Sequence, residues 1–211
     1  LKTIVVTSSV MGEGKSEVSA NLAAAMAQVG RKVLLLDADM RHPAQHTAWD
    51  LTNAVGLSNV IVNQNHADEA IQEVMPNLHV LTSGVMPPNP VALLDSKRMT
   101  ALINNFSNRY DFVIIDAPPV VGFADASVLG RMVDGILMVV RPGVVNISRA
   151  TAAKEALSQS GQTVLGMVAN GVDVRNEPDS YFYYTRDYSS SLNSKDKALS
   201  LPALNTNNFD S

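Results

Sequence analysis

Residues 9–16, Ser-Val-Met-Gly-Glu-Gly-Lys-Ser, have the composition of a phosphate-binding loop. They lie between an apolar run at residues 4–6 and an Ala-rich helical pattern that begins at Val18, and phosphate loops occur in this strand-to-helix setting. The backbone N–H groups of such a loop surround phosphate oxygens. Lys15 can reach the β and γ phosphates, and the Ser16 hydroxyl can bind Mg²⁺. The segment therefore predicts a nucleotide site.

The loop departs from the strict G-x-x-x-x-G-K-[ST] pattern because Ser9 stands at its first position. Gly12 and Gly14 still give the backbone the freedom to curl against an anion. The helix that follows adds the partial positive charge of its N-terminus. The predicted nucleotide-binding positions in and beside the loop are Met11, Gly12, Glu13, Gly14, Lys15, Ser16 and Glu17.

Three aspartates follow apolar runs that are typical of buried strands. Asp37 and Asp39 follow residues 33–36, and Asp116 follows residues 112–115. Asp116 is predicted to hold Mg²⁺ through water, while Asp37 and Asp39 orient an acceptor hydroxyl and support the metal shell. The predicted metal site is therefore Ser16, Asp39 and Asp116, and the predicted catalytic residues are Lys15, Asp37 and Asp39. The alternative for any one aspartate is a turn or helix-capping role at a strand exit.

Short apolar runs alternate with helical patterns along most of the chain, which predicts an α/β fold. We expect a three-layer sandwich with a mostly parallel central sheet, since the strands are almost continuously Val, Ile and Leu. The predicted strands are Thr3–Thr7, Lys32–Leu36, Leu78–Thr82, Phe112–Ile115, Gly135–Val140 and Thr163–Val168. The predicted helices are Val18–Val29, Ala67–Val74, Pro90–Asn105, Ala124–Met132 and Ser148–Gln159. Ligands of such sheets bind at the carboxyl ends of the strands.

Composition narrows the function classes. Of the 211 residues, 46% are hydrophobic and 17% are charged, which is enough apolar material for a full core. The formal net charge of −4 gives no electrostatic basis for binding nucleic acid. No apolar run approaches the ~20 residues of a membrane helix, so any membrane attachment is expected outside this chain. The first residue is Leu1, which suggests a domain of a longer protein.

Four of the five tyrosines lie close together near the end of the chain: Tyr181, Tyr183, Tyr184 and Tyr188. The apolar periodicity stops near Glu177 and a Ser- and Asn-rich stretch follows, so we expect a domain at residues 1–176 and a disordered tail at residues 177–211. The tyrosines are candidate phosphate acceptors. From the cluster alone, an aromatic packing patch is an equal alternative.

Three segments together resemble the bacterial tyrosine kinases of polysaccharide export. They are residues 8–16, residues 34–43 and residues 114–119, which correspond to the Walker A, A′ and B motifs of that family. The resemblance covers about residues 1–175. It implies a P-loop NTPase fold of the deviant-Walker type and an ATP- and Mg²⁺-dependent protein-tyrosine autokinase.

The resemblance also implies roles and partners. Asn170 matches a base-contacting asparagine, and the tail tyrosines match the acceptors, with Asp37 as the candidate that takes the tyrosine proton. The expected partners are ATP, neighbouring copies of the chain that are phosphorylated in trans, and a membrane co-polymerase or activator segment. The expected location is the cytoplasmic face of the bacterial inner membrane, with no membrane span in this domain.

Some positions differ from the family pattern. Met11 replaces a common proline, and Glu17 replaces a hydroxyl residue and would bring a negative charge near the α-phosphate. Val10 stands where the related partition and division-site ATPases carry a second lysine, which argues against those ATPases. The alternatives left open are a nucleotide-switched positioning ATPase and a non-catalytic nucleotide-binding adaptor of the export machinery.

Overall fold

The computed structural model describes residues 1–159 and 161–172, and within them seven strands form one sheet. The sheet order is β3-β4-β2-β5-β1-β6-β7, and every neighbouring pair is parallel except β3 with β4. The strands are β1 (Thr3–Ser8), β2 (Val33–Asp37), β3 (Ile71–Met75), β4 (Leu78–Leu81), β5 (Phe112–Asp116), β6 (Gly135–Val140) and β7 (Val164–Ala169). The prediction of a mostly parallel central sheet is confirmed.

Helices cover both faces of this sheet. They are α1 (Lys15–Gln28), α2 (Gln45–Ala48), α3 (Leu57–Ile61), α4 (Ala67–Ala70), α5 (Pro90–Leu94), α6 (Lys97–Arg109), α7 (Asp125–Gly130) and α8 (Ile147–Gln159). Among the described residues, none of these helices is long and apolar enough to cross a membrane.

Two apolar cores lie on opposite faces of the sheet because successive strand residues point to opposite sides. One core packs alternate strand residues, such as Leu34 and Ile115, against α6. The other packs the intervening residues, such as Leu35 and Ile114, against α1. The face of α1 in this core consists of small side chains that allow close helix–sheet contact: Ala20, Ala23, Ala24 and Ala27. The predicted three-layer sandwich is therefore confirmed.

The predicted helix Ala67–Val74 is wrong. Only Ala67–Ala70 is helical, and the chain then forms β3, which runs antiparallel to β4 at the edge of the sheet. Pro76 and Asn77 connect the two strands, and Asn77 adopts a positive φ of 68°. The short helical pattern gives way because Ile71–Met75 can pair its backbone with β4.

The predicted helix Pro90–Asn105 is two helices, with the break at Asp95 and Ser96. The Ser96 side chain accepts a hydrogen bond from the backbone N–H of Met99 and so caps the start of α6. The one-turn helix α2 and the short helix α3 were not predicted. The remaining predicted elements match observed elements, with boundaries that differ by at most three residues at either end.

Candidate active site

The connection between β1 and α1 forms an open loop of the phosphate-binding type. Gly12 has φ 82° and Gly14 has φ 83°, in the left-handed region that side chains with a Cβ rarely adopt. Gly14 is the N-cap of α1, so Lys15 and Ser16 occupy the first turn of a helix whose N-terminus faces the loop. This geometry suits a bound anion.

The buried side chain of Glu13 ties this loop to the end of β6. Its Oε2 accepts a hydrogen bond from the Val10 backbone N–H at 2.7 Å, and its Oε1 accepts one from the Arg141 N–H at 3.1 Å. Asn170, which follows β7, donates from Nδ2 to the Glu13 carbonyl at 3.1 Å. The loop shape is therefore fixed by internal contacts from two neighbouring strands.

Lys15 lies at the centre of the site, among oxygen atoms from three segments of the chain. Its Nζ is 2.8 Å from Asp39 Oδ2, 3.4 Å from Asp116 Oδ1 and 3.0 Å from Ser16 Oγ. Burial by itself lowers the pKa of Lys15, but the negative charges of Asp116 and Asp39 outweigh burial and raise the pKa above its ordinary value. Lys15 is therefore positively charged throughout the neutral range.

Asp37 is fully buried and organises the segment that follows β2. Its carboxylate accepts hydrogen bonds from the backbone N–H groups of Asp39 at 3.2 Å, Ala44 at 3.0 Å and Gln45 at 2.9 Å. Burial, together with the charge of Asp116, raises the pKa of Asp37 to about 8. The two carboxylates are adjacent because Asp37 and Asp116 stand opposite each other in the register of β2 and β5.

Asp39 has a different environment, although only one residue separates it from Asp37. Its Oδ1 accepts a hydrogen bond from the His42 N–H at 3.0 Å, while its Oδ2 contacts Lys15. Asp39 lines a cleft of ≈ 330 Å³, whereas Asp37 does not. The cleft lining comprises Met11, Gly12, Gly14, Lys15, Ser16, Asp39, His42, Pro43, Ala44, Thr47 and Pro119.

Gln45 connects three segments of the site, which are the segment after β2, the end of β5 and the start of α1. Its side chain is fully buried, and its Nε2 donates to Asp116 Oδ2 at 2.8 Å and to the Ser16 carbonyl at 3.0 Å. Gln45 therefore fixes the orientation of the Asp116 carboxylate relative to α1.

Comparisons with known proteins agree on the family of this chain. Residues 1–163 match the family model described as an AAA domain. The tyrosine-protein kinase YwqD of Bacillus subtilis is 43% identical over 188 residues, which are 89% of this chain and 79% of that protein. The putative tyrosine-protein kinase CapB of Staphylococcus aureus is 40% identical over 89% of this chain and 82% of its own length. The chain belongs to the bacterial tyrosine-protein kinases.

Solved structures agree with this assignment. The kinase domain of the Escherichia coli tyrosine kinase ETK aligns with a TM-score of 0.78 at 35% identity, over 81% of this chain and 68% of that one. The septum site-determining protein MinD of Pyrococcus horikoshii aligns with a TM-score of 0.67 at 24% identity, over 80% of this chain and 69% of that one, which shows a shared fold only. This kinase is thus a P-loop enzyme that binds a nucleotide.

The structure brings most of the predicted site residues of this kinase together. Lys15, Ser16, Asp37, Asp39 and Asp116 form one cluster at the carboxyl ends of β2 and β5 and the start of α1. The tail tyrosines 181, 183, 184 and 188 lie outside the described residues.

The other predicted nucleotide-binding residues surround the loop. Met11 is exposed on the cleft rim, and Asn170 packs so closely that a Cβ at Gly14 would lie 2.0 Å from its Nδ2. Glu17 Oε2 would lie 3.6 Å from the same Cβ, so its carboxylate is beside the loop.

Sequence reasoning missed Gln45 and the bracing role of the Glu13 side chain. Neither residue belongs to a periodic apolar pattern, and a polar residue in a loop or in a one-turn helix carries no signal that it will be buried. The role of a buried glutamine can be recognised only when the three segments that it connects by hydrogen bonds have been placed in space.

Proposed function

We propose that this kinase transfers the γ-phosphoryl group of ATP to the tail tyrosines 181, 183, 184 and 188 of a neighbouring copy. The observation that carries the proposal is the position of Lys15 Nζ among Asp39, Asp116 and Ser16 beside the phosphate-type loop. A lysine and two carboxylates at the end of this loop are the parts that phosphoryl transfer needs.

The donor set fits Mg²⁺. Ser16 Oγ and the carboxylates of Asp39 and Asp116 are hard oxygen ligands, and Mg²⁺ is usually bound by one or two carboxylates together with phosphates and waters. Within the described residues, no group of three or more His, Cys, Asp or Glu side chains is arranged to hold a metal by itself. We therefore assign Ser16, Asp39 and Asp116 as the residues that would hold Mg²⁺, which when bound would neutralise charge on the phosphates.

The remaining residues position the nucleotide or neutralise its negative charge. Lys15 places a permanent positive charge at the cleft, where negative charge must be stabilised during transfer. Gly12 and Gly14 allow the backbone N–H groups to face the phosphates. Met11, Glu13 and Glu17 are the neighbouring positions in and beside the loop that we also assign to nucleotide binding. Asn170 lies on the β7 side of the loop, the side on which we place the base.

The acceptor loses a proton in this step. As the tyrosine Oη bonds to the γ-phosphorus, the bond from that phosphorus to the bridging oxygen breaks and ADP leaves with the electron pair. The family resemblance makes Asp37 the candidate for this proton. The geometry favours Asp39 because Asp39 lines the cleft, while Asp37 is fully buried and already accepts three backbone hydrogen bonds.

We further propose a place for this reaction in the cell. Its relatives are tyrosine-protein kinases of several bacteria, and the sequence motifs resemble the kinases of polysaccharide export. The kinase would act at the cytoplasmic face of the inner membrane, next to a membrane co-polymerase or activator segment.

Phosphotyrosine mapping by mass spectrometry tests the proposal. After incubation with ATP and Mg²⁺, with an activator segment supplied, we expect phosphate on the tail tyrosines of the parent chain and none in a Lys15→Met variant. Asp39→Asn should lower the rate by about a hundredfold or more. Asp37→Asn should lower it less. A parent chain without tail phosphotyrosine under these conditions would reject the proposal.

The same preparation tests the positioning-ATPase alternative. If ATP hydrolysis served only as a conformational switch, phosphate release into solution would persist after deletion of residues 177–211, and no protein-bound phosphate would form on the parent.

A further inference from the structure

An ion pair outside the cleft joins the two segments that carry the active-site aspartates. Arg41 lies two residues after Asp39, and Asp125 is the first residue of α7, which follows Asp116 by one loop. Arg41 Nε is 3.6 Å from Asp125 Oδ1. The pair thus connects the segment after β2 to the segment after β5.

The Asp125 carboxylate depends on this arginine. Asp125 is fully buried, and in the described part of the chain neither of its carboxylate oxygens has a hydrogen-bond partner. A buried charge without compensation is strongly unfavourable. Arg41 is the positive group that faces it, with a side chain 25% exposed.

The same guanidinium makes a second contact with the segment after β5. The Cζ atom of Arg41 lies 4.9 Å from the ring centroid of Phe123, which precedes Asp125 by two residues. A flat guanidinium over an aromatic ring is a favourable cation–π arrangement that an ammonium group reproduces less well. The contacts with Asp125 and Phe123 together therefore fix the orientation of the Arg41 guanidinium.

The position of Arg41 matters for Asp39. The backbone between Asp39 and Gln45 turns back on itself, with the His42 N–H bonded to Asp39 and the Ala44 N–H bonded to Asp37. Arg41 lies in the middle of this turn and is absent from the cleft lining. It is therefore placed to hold the turn and not to line the cleft.

We propose that Arg41, Phe123 and Asp125 form a latch that positions Asp39 for phosphoryl transfer. The latch holds the turn at residues 39–45 against the loop at residues 117–125, so Arg41 and Asp125 are positioning residues for the reaction. This proposal rests on the role proposed above for Asp39.

The experiment compares Arg41→Gln, Asp125→Asn and the double variant in the full chain. We expect Arg41→Gln to lower kcat for tyrosine phosphorylation by about tenfold or more, with the KM for ATP changed less than about twofold. Its melting temperature should fall because Asp125 loses its partner. The double variant should recover the melting temperature, since no buried charge is left unpaired, and should keep the low kcat.

Amide hydrogen exchange gives a readout that does not depend on activity. Residues 39–45 should exchange about tenfold faster or more in the double variant than in the parent, because the turn is no longer anchored. Arg41→Lys, which keeps the charge and loses the flat group over Phe123, should give an intermediate kcat. Arg131→Gln is the matched control, because it breaks a half-exposed ion pair with Asp95 at 3.2 Å, and it should change neither quantity.

Recovery of both kcat and slow exchange in the double variant would overturn the proposal, because the pair would then serve stability alone. An Arg41→Gln chain with parental kcat and exchange would overturn it as well. Failure of the Asp39 role would show separately, as an Asp39→Asn variant with unchanged kcat.

Discussion

Two aspartates separated by one residue have different environments in this kinase, and this difference is the basis of the separate roles that we propose for them. Asp37 is fully buried under three backbone N–H groups, whereas Asp39 contacts Lys15 at the cleft. Their alternation along the chain was visible in the sequence. Which of the two reaches the cleft depended on the turn at residues 39–45, which no periodic pattern indicates.

The raised pKa of Asp37 predicts that Mg²⁺ binding is coupled to pH. With its pKa at about 8, Asp37 is protonated below that pH in the metal-free site, and a nearby cation favours its ionised form. Binding of Mg²⁺ with ADP should therefore release protons, and the affinity should rise by up to about tenfold per pH unit from pH 6 to 8 and level off above.

Isothermal titration calorimetry in buffers of different ionisation enthalpy measures the protons released. Asp37→Asn is the control that should remove the coupling. Equal affinity at pH 6 and pH 8 in the parent chain would contradict the assigned protonation of Asp37.

Gln45 should be important for stability although it is a polar residue at the start of the one-turn helix α2. Gln45→Ala removes the donor to Asp116 and to the Ser16 carbonyl, so the free energy of unfolding should fall by about 1–3 kcal/mol. Urea denaturation measures the change. Gln72→Ala is the matched control, because its Nε2 donates to the Thr52 carbonyl at an exposed position, and it should cost less than about 0.5 kcal/mol.

At the scale of elements, the long apolar strands were predictable and the edge strand β3 was not. The five parallel strands nearest the site are buried runs of Val, Ile and Leu, and these runs indicate their structure directly. Ile71–Met75 overlaps the end of the predicted helix Ala67–Val74, and its pairing with β4 decided the outcome. The Pro76-Asn77 dipeptide between two apolar runs was the available signal for a hairpin.

That hairpin gives a test of backbone conformation. Asn77 has φ 68°, which alanine adopts at a cost of about 1–2 kcal/mol and glycine adopts freely. Asn77→Ala should therefore lower the free energy of unfolding by about 1 kcal/mol, while Asn77→Gly should stay near the parent. Alanine at Asn104, inside α6, is a control that should cost nothing. Equal losses for Asn77→Ala and Asn77→Gly would show that the side chain, not the backbone angle, is what matters.

At the scale of the whole molecule, the catalytic site and its proposed acceptors lie in different parts of the chain. The site is built within residues 1–172, and the four clustered tyrosines follow it. Family membership could be recognised from three motifs because their residues sit at strand and helix ends that the fold fixes. Residues that act through contacts between segments, such as Gln45 and Arg41, required the structure.

Phosphorylation of the tail should change how copies of the chain associate. Each phosphate adds a charge of about −1.5 to −2, so four would add about −6 to −8 to a chain whose formal net charge is −4. We expect the parent to dissociate when incubated with ATP, and a variant with all four tail tyrosines changed to phenylalanine to stay assembled. Light scattering coupled to size-exclusion chromatography would distinguish the two, and dissociation of both chains alike would exclude charge repulsion as the cause.

A mixture of two variants, with activator segment, ATP and Mg²⁺ present, tests phosphoryl transfer between copies most directly. One chain carries Lys15→Met and keeps its tyrosines, and the other keeps Lys15 and carries phenylalanine at positions 181, 183, 184 and 188. The measurement is phosphotyrosine on each chain by mass spectrometry. We expect phosphate on the tail of the Lys15→Met chain, delivered by its neighbour. A Lys15→Met chain that stays unmodified in this mixture, while the parent chain is phosphorylated on its tail, would contradict it.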